Sequence, residues 1–339
     1  MNETTPLPRH VPLVIATRGG AVESVHYGSI AVASATGSLV CSVGDVDFPV
    51  FTRSALKPFQ ALPFVADGGP ARFGFSPEQV ALMCASHSGE PRHVAAVADM
   101  LARVGCSERD LQCGSHPPLF YAATGIPVPP DLAATPLHHN CSGKHAGFLA
   151  WCRLRDEPCE TYPDADHPLQ QAIRRALAGL LECGESDFVA GTDGCGAPNY
   201  ALPLARLAYA YARLAAPAED AGPAAGLATL FDAMTAHPTM VSGVRRGDLI
   251  LMQAAAGDRV AKGGAEGVQA LGVASRGLGI ALKIADGAPR AVRVATYAVL
   301  EQLSLLPPDP SPLQQWRDAE IRNHAGTLTG RLMPVFRLG

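Results

Sequence analysis

The sequence is poor in lysine. Of its 27 basic residues only four are lysines, Lys57, Lys144, Lys262 and Lys283, and the rest are arginines. Arginine stays protonated in proteins, so it pairs with anions but serves neither as a base nor as a neutral ligand. Each lysine is therefore a candidate for chemistry that arginine cannot perform. The alternative, that composition bias left four lysines at random, stays open.

Other features that the sequence lacks exclude broad classes of function. It has no run of 18 apolar residues, so we predict no membrane-spanning helix. The net charge of -4 and the pI near 6.2 give no basic surface, which argues against nucleic-acid binding. Only 17% of the residues are charged and 47% are hydrophobic, a balance typical of a well-buried globular protein.

The cysteines do not form a recognisable disulfide framework. Nine cysteines, an odd number, are spread along the chain without regular spacing, so we expect reduced thiols. The first six residues are polar and acidic rather than typical of a signal sequence, so we expect a cytoplasmic protein. A length of 339 residues allows two domains or one large α/β unit.

Hydrophobic periodicity and turn residues predict strands at both ends of the chain and helices between them. The predicted strands are 11–17, 24–35, 39–43, 187–190, 249–253, 259–262, 268–274 and 279–285. The predicted helices are 54–66, 76–83, 92–104, 141–154, 167–181, 202–215, 225–236 and 289–305. The loop 217–223 is predicted to be a disordered tip.

This order predicts an α/β fold of the α+β type. One antiparallel sheet is formed from both chain ends, and a helical lobe is inserted between them. The predicted boundaries are a tail at 1–10 and a single catalytic unit at 11–339, with a sheet lobe at 11–53 and 237–339 and a helical lobe at 54–236. We expect the active site in the cleft between the two lobes.

The central candidate for catalysis is the pair Ser54 and Lys57. Two residues three apart on a helix share one face, within reach of one hydrogen bond. A serine hydroxyl becomes a good nucleophile when a neighbouring base takes its proton, and a lysine with a lowered pKa can be that base. Pro58 is tolerated only near a helix start, which places Ser54 at the N-terminus. A surface helix turn is the alternative.

Two further segments extend this pair. Penicillin-binding proteins and β-lactamases combine S-x-x-K with a second serine motif between helices and a K-T-G strand near the C-terminus. This chain has Ser86 in an interhelical position and Lys262 followed by Gly263 and Gly264. The residues of the second and third motifs differ from those of the penicillin-binding proteins and β-lactamases, which argues against recognition of β-lactams. Ser86 alone is compatible with a helix cap.

Five motifs together closely resemble the rhizobial-type, or class 3, L-asparaginases. They are Ser54-Ala-Leu-Lys-Pro-Phe-Gln60, Cys84-Ala-Ser-His-Ser-Gly-Glu-Pro91, His139-Asn-Cys-Ser-Gly-Lys-His-Ala-Gly147, Asp193-Gly-Cys-Gly-Ala-Pro198 and Ala261-Lys-Gly-Gly-Ala-Glu-Gly267. The resemblance runs from about residue 10 to 335. It implies a fold similar to the serine β-lactamases and glutaminases, a homodimer, and hydrolysis of L-asparagine to aspartate and ammonia.

The resemblance also implies roles for individual residues. Ser54 with Lys57 would be one catalytic tandem, and Ser86 with Lys262 the second. A zinc ion would be held by a group of three ligands, Cys141, Lys144 and Cys195. Predicted substrate contacts are Arg53, Asp193 and Lys144.

Several alternatives stay open. Four histidines crowd the same loops and invite a Ser-His catalytic site or a histidine-rich metal site, namely His87, His138, His139 and His145. Arg53 can pair with a surface acid instead of a substrate, and Asp193 is compatible with a turn residue. For the whole protein, the alternatives are a glutaminase, a penicillin-recognising serine hydrolase, or a non-catalytic zinc- or thiol-binding protein built on Cys141 and Cys195.

Overall fold

The computed structural model describes residues 7–217 and 223–339. The strands are β1 Val11–Arg18, β2 Ala21–Ser34, β3 Leu39–Val43, β4 Pro49–Phe51, β5 Val189–Thr192, β6 Pro198–Pro203, β7 Arg259–Gly264, β8 Val268–Val273, β9 Leu278–Ile284, β10 Glu320–Arg322 and β11 Leu328–Pro334. The α-helices are α1 Lys57–Ala66, α2 Gly69–Phe73, α3 Pro77–Met83, α4 Pro91–Arg103, α5 Leu119–Thr124, α6 Ser142–Arg155, α7 Pro168–Leu181, α8 Leu204–Ala215, α9 Pro223–Ala236, α10 Pro238–Val241, α11 Gly247–Ala254, α12 Pro289–Gln302 and α13 Gln314–Arg317. The predicted disordered tip lies, apart from its two end residues, outside the described residues.

The main sheet has eight strands in the order β10-β11-β1-β2-β9-β8-β7, with β3 paired to β2 beside this path. Every neighbouring pair is antiparallel. The sheet therefore joins strands from residues 11–43 with strands from residues 259–334, and most of the helices lie between them in sequence. The predicted α+β fold, with one antiparallel sheet from both chain ends, is confirmed.

Helix α8 packs directly on this sheet because two paired glycines leave room for it. A Cβ atom added at Gly279 would lie 1.8 Å from the Ala208 carbonyl oxygen, and one added at Gly272 would lie 2.5 Å from the Tyr211 carbonyl oxygen. Buried leucines of α8 then contact the sheet, and burial of such side chains contributes about 1.5–3 kcal/mol each. The packing fixes the sheet relative to the helices that carry the candidate site.

The helical lobe is organised around α1. Nine of its ten residues are buried, including Lys57, and α6, α7 and α9 pack against it. A second sheet of three strands, in the order β4-β6-β5, joins this lobe to the start of α1. That sheet was not predicted, because β6 lies within residues that the sequence pattern assigned partly to a helix.

One predicted strand is wrong. Residues 249–253 belong to α11 instead, with Arg246 just before the helix and Asp248 in its first turn. A short apolar run does not distinguish a strand from a buried helix by periodicity alone. Asp248 stabilises the helical alternative, because acidic side chains in the first turn interact favourably with the helix dipole. Within the described residues, no helix is long and apolar enough to cross a membrane.

Candidate active site

Ser54 lies in a short 3-10 turn, Arg53–Leu56, which leads from β4 into α1. Arg53 has a φ of 50°, which is strained for a residue other than glycine. Asn199 holds this backbone from both sides: its Oδ1 accepts the Arg53 N–H at 3.0 Å, and its Nδ2 donates to the Arg53 carbonyl at 3.0 Å. Arg53 Nε donates to Asp193 Oδ1 at 2.8 Å. The turn is thus fixed at Arg53, directly before Ser54.

Ser54 and Ser86 line one cavity of about 330 Å³ between the sheet and the helical lobe. The Ser54 side chain is partly exposed to it, whereas Ser86 is 4% exposed. Ser54 Oγ makes no hydrogen bond to any described residue. The Ser54 hydroxyl is therefore accessible to a substrate in the cavity.

Lys57 pairs with Ser86 rather than with Ser54. Its side chain is 0% exposed, and its Nζ contacts Ser86 Oγ at 2.8 Å, the Asn140 carbonyl at 3.4 Å and the Ala85 carbonyl. The expected pairing of the tandems, Ser54 with Lys57 and Ser86 with Lys262, therefore differs from the hydrogen bonds observed. The spacing of Ser54 and Lys57 predicts that both lie on one helix face. The contact between Lys57 and Ser86 depends instead on tertiary folding, which brings the loop between α3 and α4 next to α1.

The surroundings of Lys57 can accommodate a neutral amine. An –NH₂ group has two N–H donors and one lone pair. The carbonyls of Ala85 and Asn140 can accept the two donors, and the Ser86 hydroxyl can then donate to the lone pair. Among the described residues, no carboxylate lies within ion-pair distance of Lys57. A serine whose hydroxyl reaches a lysine amine has the geometry needed for proton transfer.

Lys262 is the second buried lysine at the site. Burial lowers its pKa to about 8, Asp248 opposes this shift, and the charges of Lys57 and Arg246 add to it. Lys262 Nζ donates to Asp248 Oδ2 at 3.3 Å and to the Gly263 carbonyl at 2.8 Å. A lysine with a pKa near 8 is partly neutral at physiological pH, so it can exchange protons during catalysis.

Asp248 is a polar residue of the site to which the sequence gave no role. Burial acts to raise its pKa, but the Lys262 charge and the Gly263 N–H outweigh it, and the net direction is downward. Asp248 Oδ1 accepts hydrogen bonds from Gly263 N at 2.8 Å and from Gln269 Nε2 at 3.2 Å. In the sequence, Asp248 is distinguished only because it follows Arg245 and Arg246 and directly precedes the apolar residues 249–253, which were predicted to form a strand.

Gly264 allows strand β7 to lie against the Ser54 turn. A Cβ atom added at Gly264 would lie 2.7 Å from the Thr52 carbonyl oxygen and 3.1 Å from the Arg53 Cβ. A side chain at this position would push the strand away from the turn. Gly264 therefore serves the close approach of two backbones, one of the reasons for which glycine occurs within a strand.

The three predicted zinc ligands, Cys141, Lys144 and Cys195, lie close together next to Asn140. Lys144 Nζ is 3.1 Å from Cys195 Sγ, and the Cys141 thiol donates to Asn140 Oδ1 at 3.0 Å. The pKa of Cys195 is lowered, first by its interaction with the neighbouring Cys141 thiol and then by the Lys144 charge, against the effect of burial. The pKa of Cys141 is raised by the same interaction and by burial. Asp193 Oδ2 lies 4.0 Å from Cys195 Sγ.

This donor set fits zinc only with Lys144 as a ligand. Among the described residues there is no group of three or more His, Cys, Asp or Glu side chains suited to a metal ion. The two thiols are of a ligand type that zinc prefers, the Lys144 amine would be an unusual third ligand, and together they leave a fourth position open. The observed separation of Lys144 and Cys195 is close to the distance of about 3.5 Å between ligands of a tetrahedral zinc. Lys144 must lose its proton to bind.

The four histidines form local hydrogen bonds instead of a Ser-His pair. Their partners are the Gly89 N–H for His87, the Thr135 hydroxyl for His138, the Cys141 N–H for His139 and the Tyr162 hydroxyl for His145. Within the described part of the chain, none bonds to Ser54 or Ser86. Burial lowers the pKa of His87 well below its usual value, so that ring is neutral. The arrangement favours lysine over histidine as the base.

Comparison with known proteins gave one family match. The model of a family described as L-asparaginase II matches residues 14–334. No curated protein sequence matches the chain. The resemblance identified from the five motifs is therefore confirmed at the level of the family.

Solved structures with detectable similarity have low sequence identity. The native form of Mglu in 4.3 M NaCl is 17% identical over 83% of this chain, with a TM-score of 0.39, and this chain spans 62% of its length. A β-lactamase from Mycobacterium bovis is 15% identical over 81% of this chain and 94% of its own, with a TM-score of 0.41. Simvastatin synthase from Aspergillus terreus is 13% identical over 86% of this chain and 93% of its own, with a TM-score of 0.40.

Proposed function

The chain belongs to the L-asparaginase II family, and from this premise we propose that it hydrolyses the side-chain amide of L-asparagine to L-aspartate and ammonia. Membership of the family supports an amidohydrolase. The choice of asparagine and of a Ser-Lys mechanism is our proposal. It rests mainly on one observation, the buried Lys57 amine that bonds Ser86 at the cavity to which Ser54 is exposed.

In the proposed acylation, Ser54 Oγ attacks the carbon of the side-chain amide. Its proton passes to Lys57, which follows it on the same helix face and can act as a base in the neutral form. Backbone N–H groups at the start of α1 lie near Ser54 and favour the negative charge that develops on the substrate oxygen. One well-placed donor of this kind contributes about 3 kcal/mol to transition-state stabilisation.

The leaving group then receives a proton through Ser86. Lys57 returns the proton by way of the Ser86 hydroxyl, the C–N bond breaks, and ammonia departs. The remaining aspartyl ester on Ser54 is attacked by water, which gives one proton to the neutral Lys262 amine, and this proton passes to the Ser54 oxygen as the ester bond breaks. Breaking the ester bond releases aspartate and restores the Ser54 hydroxyl.

The pH dependence of the reaction follows from Lys262. We expect kcat to rise with pH and to level off above about 8, because the neutral Lys262 amine that accepts the proton of water in ester hydrolysis increases as pH passes its pKa. The Asp248 carboxylate raises that pKa, so Asp248→Asn should shift the rising limb to lower pH by about one unit. The measurement is ammonia release between pH 6 and 10, values chosen to span about two units either side of that pKa.

Asp258→Asn is the matched control for this profile, because Asp258 caps residues near Ser275 away from the cavity. It should leave the profile of the wild type unchanged. A profile that is flat across pH 8 in the wild type, or that moves to higher pH in Asp248→Asn, contradicts the role of Lys262.

We also propose a zinc ion held by Cys141, Lys144 and Cys195, with Asp193 beside it. When bound, the ion supplies a Lewis acid that helps to orient the amino-acid substrate. Asn140 links this group to the catalytic residues, because its Oδ1 accepts from Cys141 and its carbonyl accepts from Lys57. The prediction that Arg53, Asp193 and Lys144 contact the substrate stays a prediction, as does the homodimer.

Elemental analysis tests the zinc proposal. The protein incubated with zinc and then desalted should retain about one ion per chain, the stoichiometry of a single site with these ligands. Cys195→Ser should lose the ion, because a hydroxyl is a poor ligand for zinc. Cys183→Ser, which changes a partly exposed thiol outside this group, should keep it. Equal zinc content in the two variants, or none in the wild type, contradicts the proposal.

A substrate panel tests the proposed activity itself. Ammonia release is measured from L-asparagine and L-glutamine, and hydrolysis of nitrocefin is followed in parallel. Turnover of asparagine well above that of the other two supports the proposal. Preference for glutamine, or hydrolysis of nitrocefin alone, would replace it by one of the related hydrolase activities.

A further inference from the structure

The catalytic cavity is lined by polar groups that the acyl transfer does not use. Arg246, Ser242 and Thr296 border the same space of about 330 Å³ as Ser54 and Ser86. They come from the residue before α11, from the segment after α10 and from α12. Three separate elements thus contribute polar groups to the lining of this one cavity.

Two of these groups are buried hydroxyls without a partner. Ser242 is 0% and Thr296 1% exposed, and neither hydroxyl has a hydrogen-bond partner among the described residues. Buried polar atoms in folded proteins are nearly always paired, so unpaired ones facing a cavity indicate where a ligand bonds. Both hydroxyls can donate a hydrogen bond to an anionic oxygen.

Arg246 supplies the matching positive charge. It is half-buried, and it takes part in no salt bridge within residues 7–217 and 223–339. The acid closest to it along the chain, Asp248, is already engaged by Lys262, Gly263 and Gln269. A guanidinium presents donors in a planar fork that matches a carboxylate.

The other arginines near the cavity are less suited to this role. Arg53 donates through Nε to Asp193 and lines a neighbouring cavity of about 560 Å³, in which neither catalytic serine takes part. Arg293 lines the same cavity as Arg246 but is exposed, so water screens its charge.

We propose that Arg246, together with the Ser242 and Thr296 hydroxyls, binds the α-carboxylate of the amino-acid substrate. This inference rests on the proposed amide hydrolysis and names the feature that selects its substrates. The site would favour free amino acids over derivatives whose α-carboxyl group is esterified or lies within a peptide bond. It assigns to Arg246 the contact that the sequence suggested for Arg53.

Two substrates separate this role from a structural one. L-asparagine carries the α-carboxylate, whereas L-asparagine methyl ester does not, and each releases ammonia only from the side-chain amide. The wild type should prefer asparagine. Arg246→Gln should lower kcat/KM for asparagine by about 100-fold, as expected for loss of a buried charge pair, and change that for the ester little.

Arg245→Gln is the matched control, since Arg245 is the neighbouring exposed arginine. It should keep the preference of the wild type. Arg246→Lys retains the charge and should keep part of the preference, which provides the same comparison if Arg246→Gln does not fold.

Three results would overturn the inference. Arg246→Gln could lower kcat/KM for both substrates equally, as loss of a structural residue would, or it could change neither value. Each of these two outcomes leaves the proposed hydrolysis standing. A wild type that releases no ammonia from asparagine would overturn the proposed function and the inference together.

Discussion

Ser54→Ala is expected to lower kcat for ammonia release from asparagine by at least about 10⁴-fold, as loss of a nucleophile does in other serine enzymes. The Ser54 hydroxyl is the proposed nucleophile, and it lines the cavity without a partner among the described residues. Alanine removes this hydroxyl, and Ser86, the other proposed catalytic serine, stays engaged with Lys57. The side chain is partly exposed, so the melting temperature should change little.

Ser86→Ala is the informative companion to this variant. It removes the proton relay but keeps the nucleophile, so we expect a smaller loss of about 10²-fold, typical of general acid–base groups. If Ser86→Ala abolishes turnover while Ser54→Ala retains it, the two serines exchange roles. Near-normal turnover in both variants contradicts the serine mechanism.

Lys57→Met should lower kcat by about 10³-fold, because it removes the base and leaves a side chain of similar length. It should also destabilise the protein. The Ser86 hydroxyl and the Ala85 and Asn140 carbonyls lose their shared partner in a buried position, at a cost of about 1–3 kcal/mol for each group left unsatisfied. The measurements are steady-state ammonia release and thermal unfolding.

Lys283→Met is the control for the loss of a lysine. Lys283 lies in β9 and donates to the carbonyls of Glu266 and Ile284, away from both catalytic serines. The Lys283→Met variant should keep turnover within about threefold of the wild type, since the substitution removes no group that acts in the reaction. A Lys57→Met protein that folds and retains turnover to a similar degree contradicts the assignment of Lys57 as the base.

Regular elements with clear periodicity could be predicted from the sequence. Predicted helix 167–181 matches α7, and predicted strand 11–17 matches β1 within one residue. Strands β10 and β11 were missed, because charged residues in both and the glycine and final proline of β11 make them resemble coil locally. The pairing of β11 with β1 joins residues more than 300 positions apart, which no local pattern contains.

The candidate site was predictable in its residue types but not in its pairings. The scarcity of lysine and the motifs singled out the two lysines that the structure buries beside Ser86 and Asp248. Which serine each lysine contacts depends on how the α3–α4 loop meets α1. Asp248 was missed because it opens a helix that was predicted as a strand, so nothing placed it next to Lys262.

Identification of the acylated serine tests the account most directly. The wild type is mixed with L-asparagine, quenched in acid within milliseconds and digested, and the peptides are examined by mass spectrometry. We predict an aspartyl ester on the peptide that contains Ser54 and none on the peptide that contains Ser86. An ester on Ser86, with Ser54 unmodified, would contradict the proposal that Ser54 is the nucleophile.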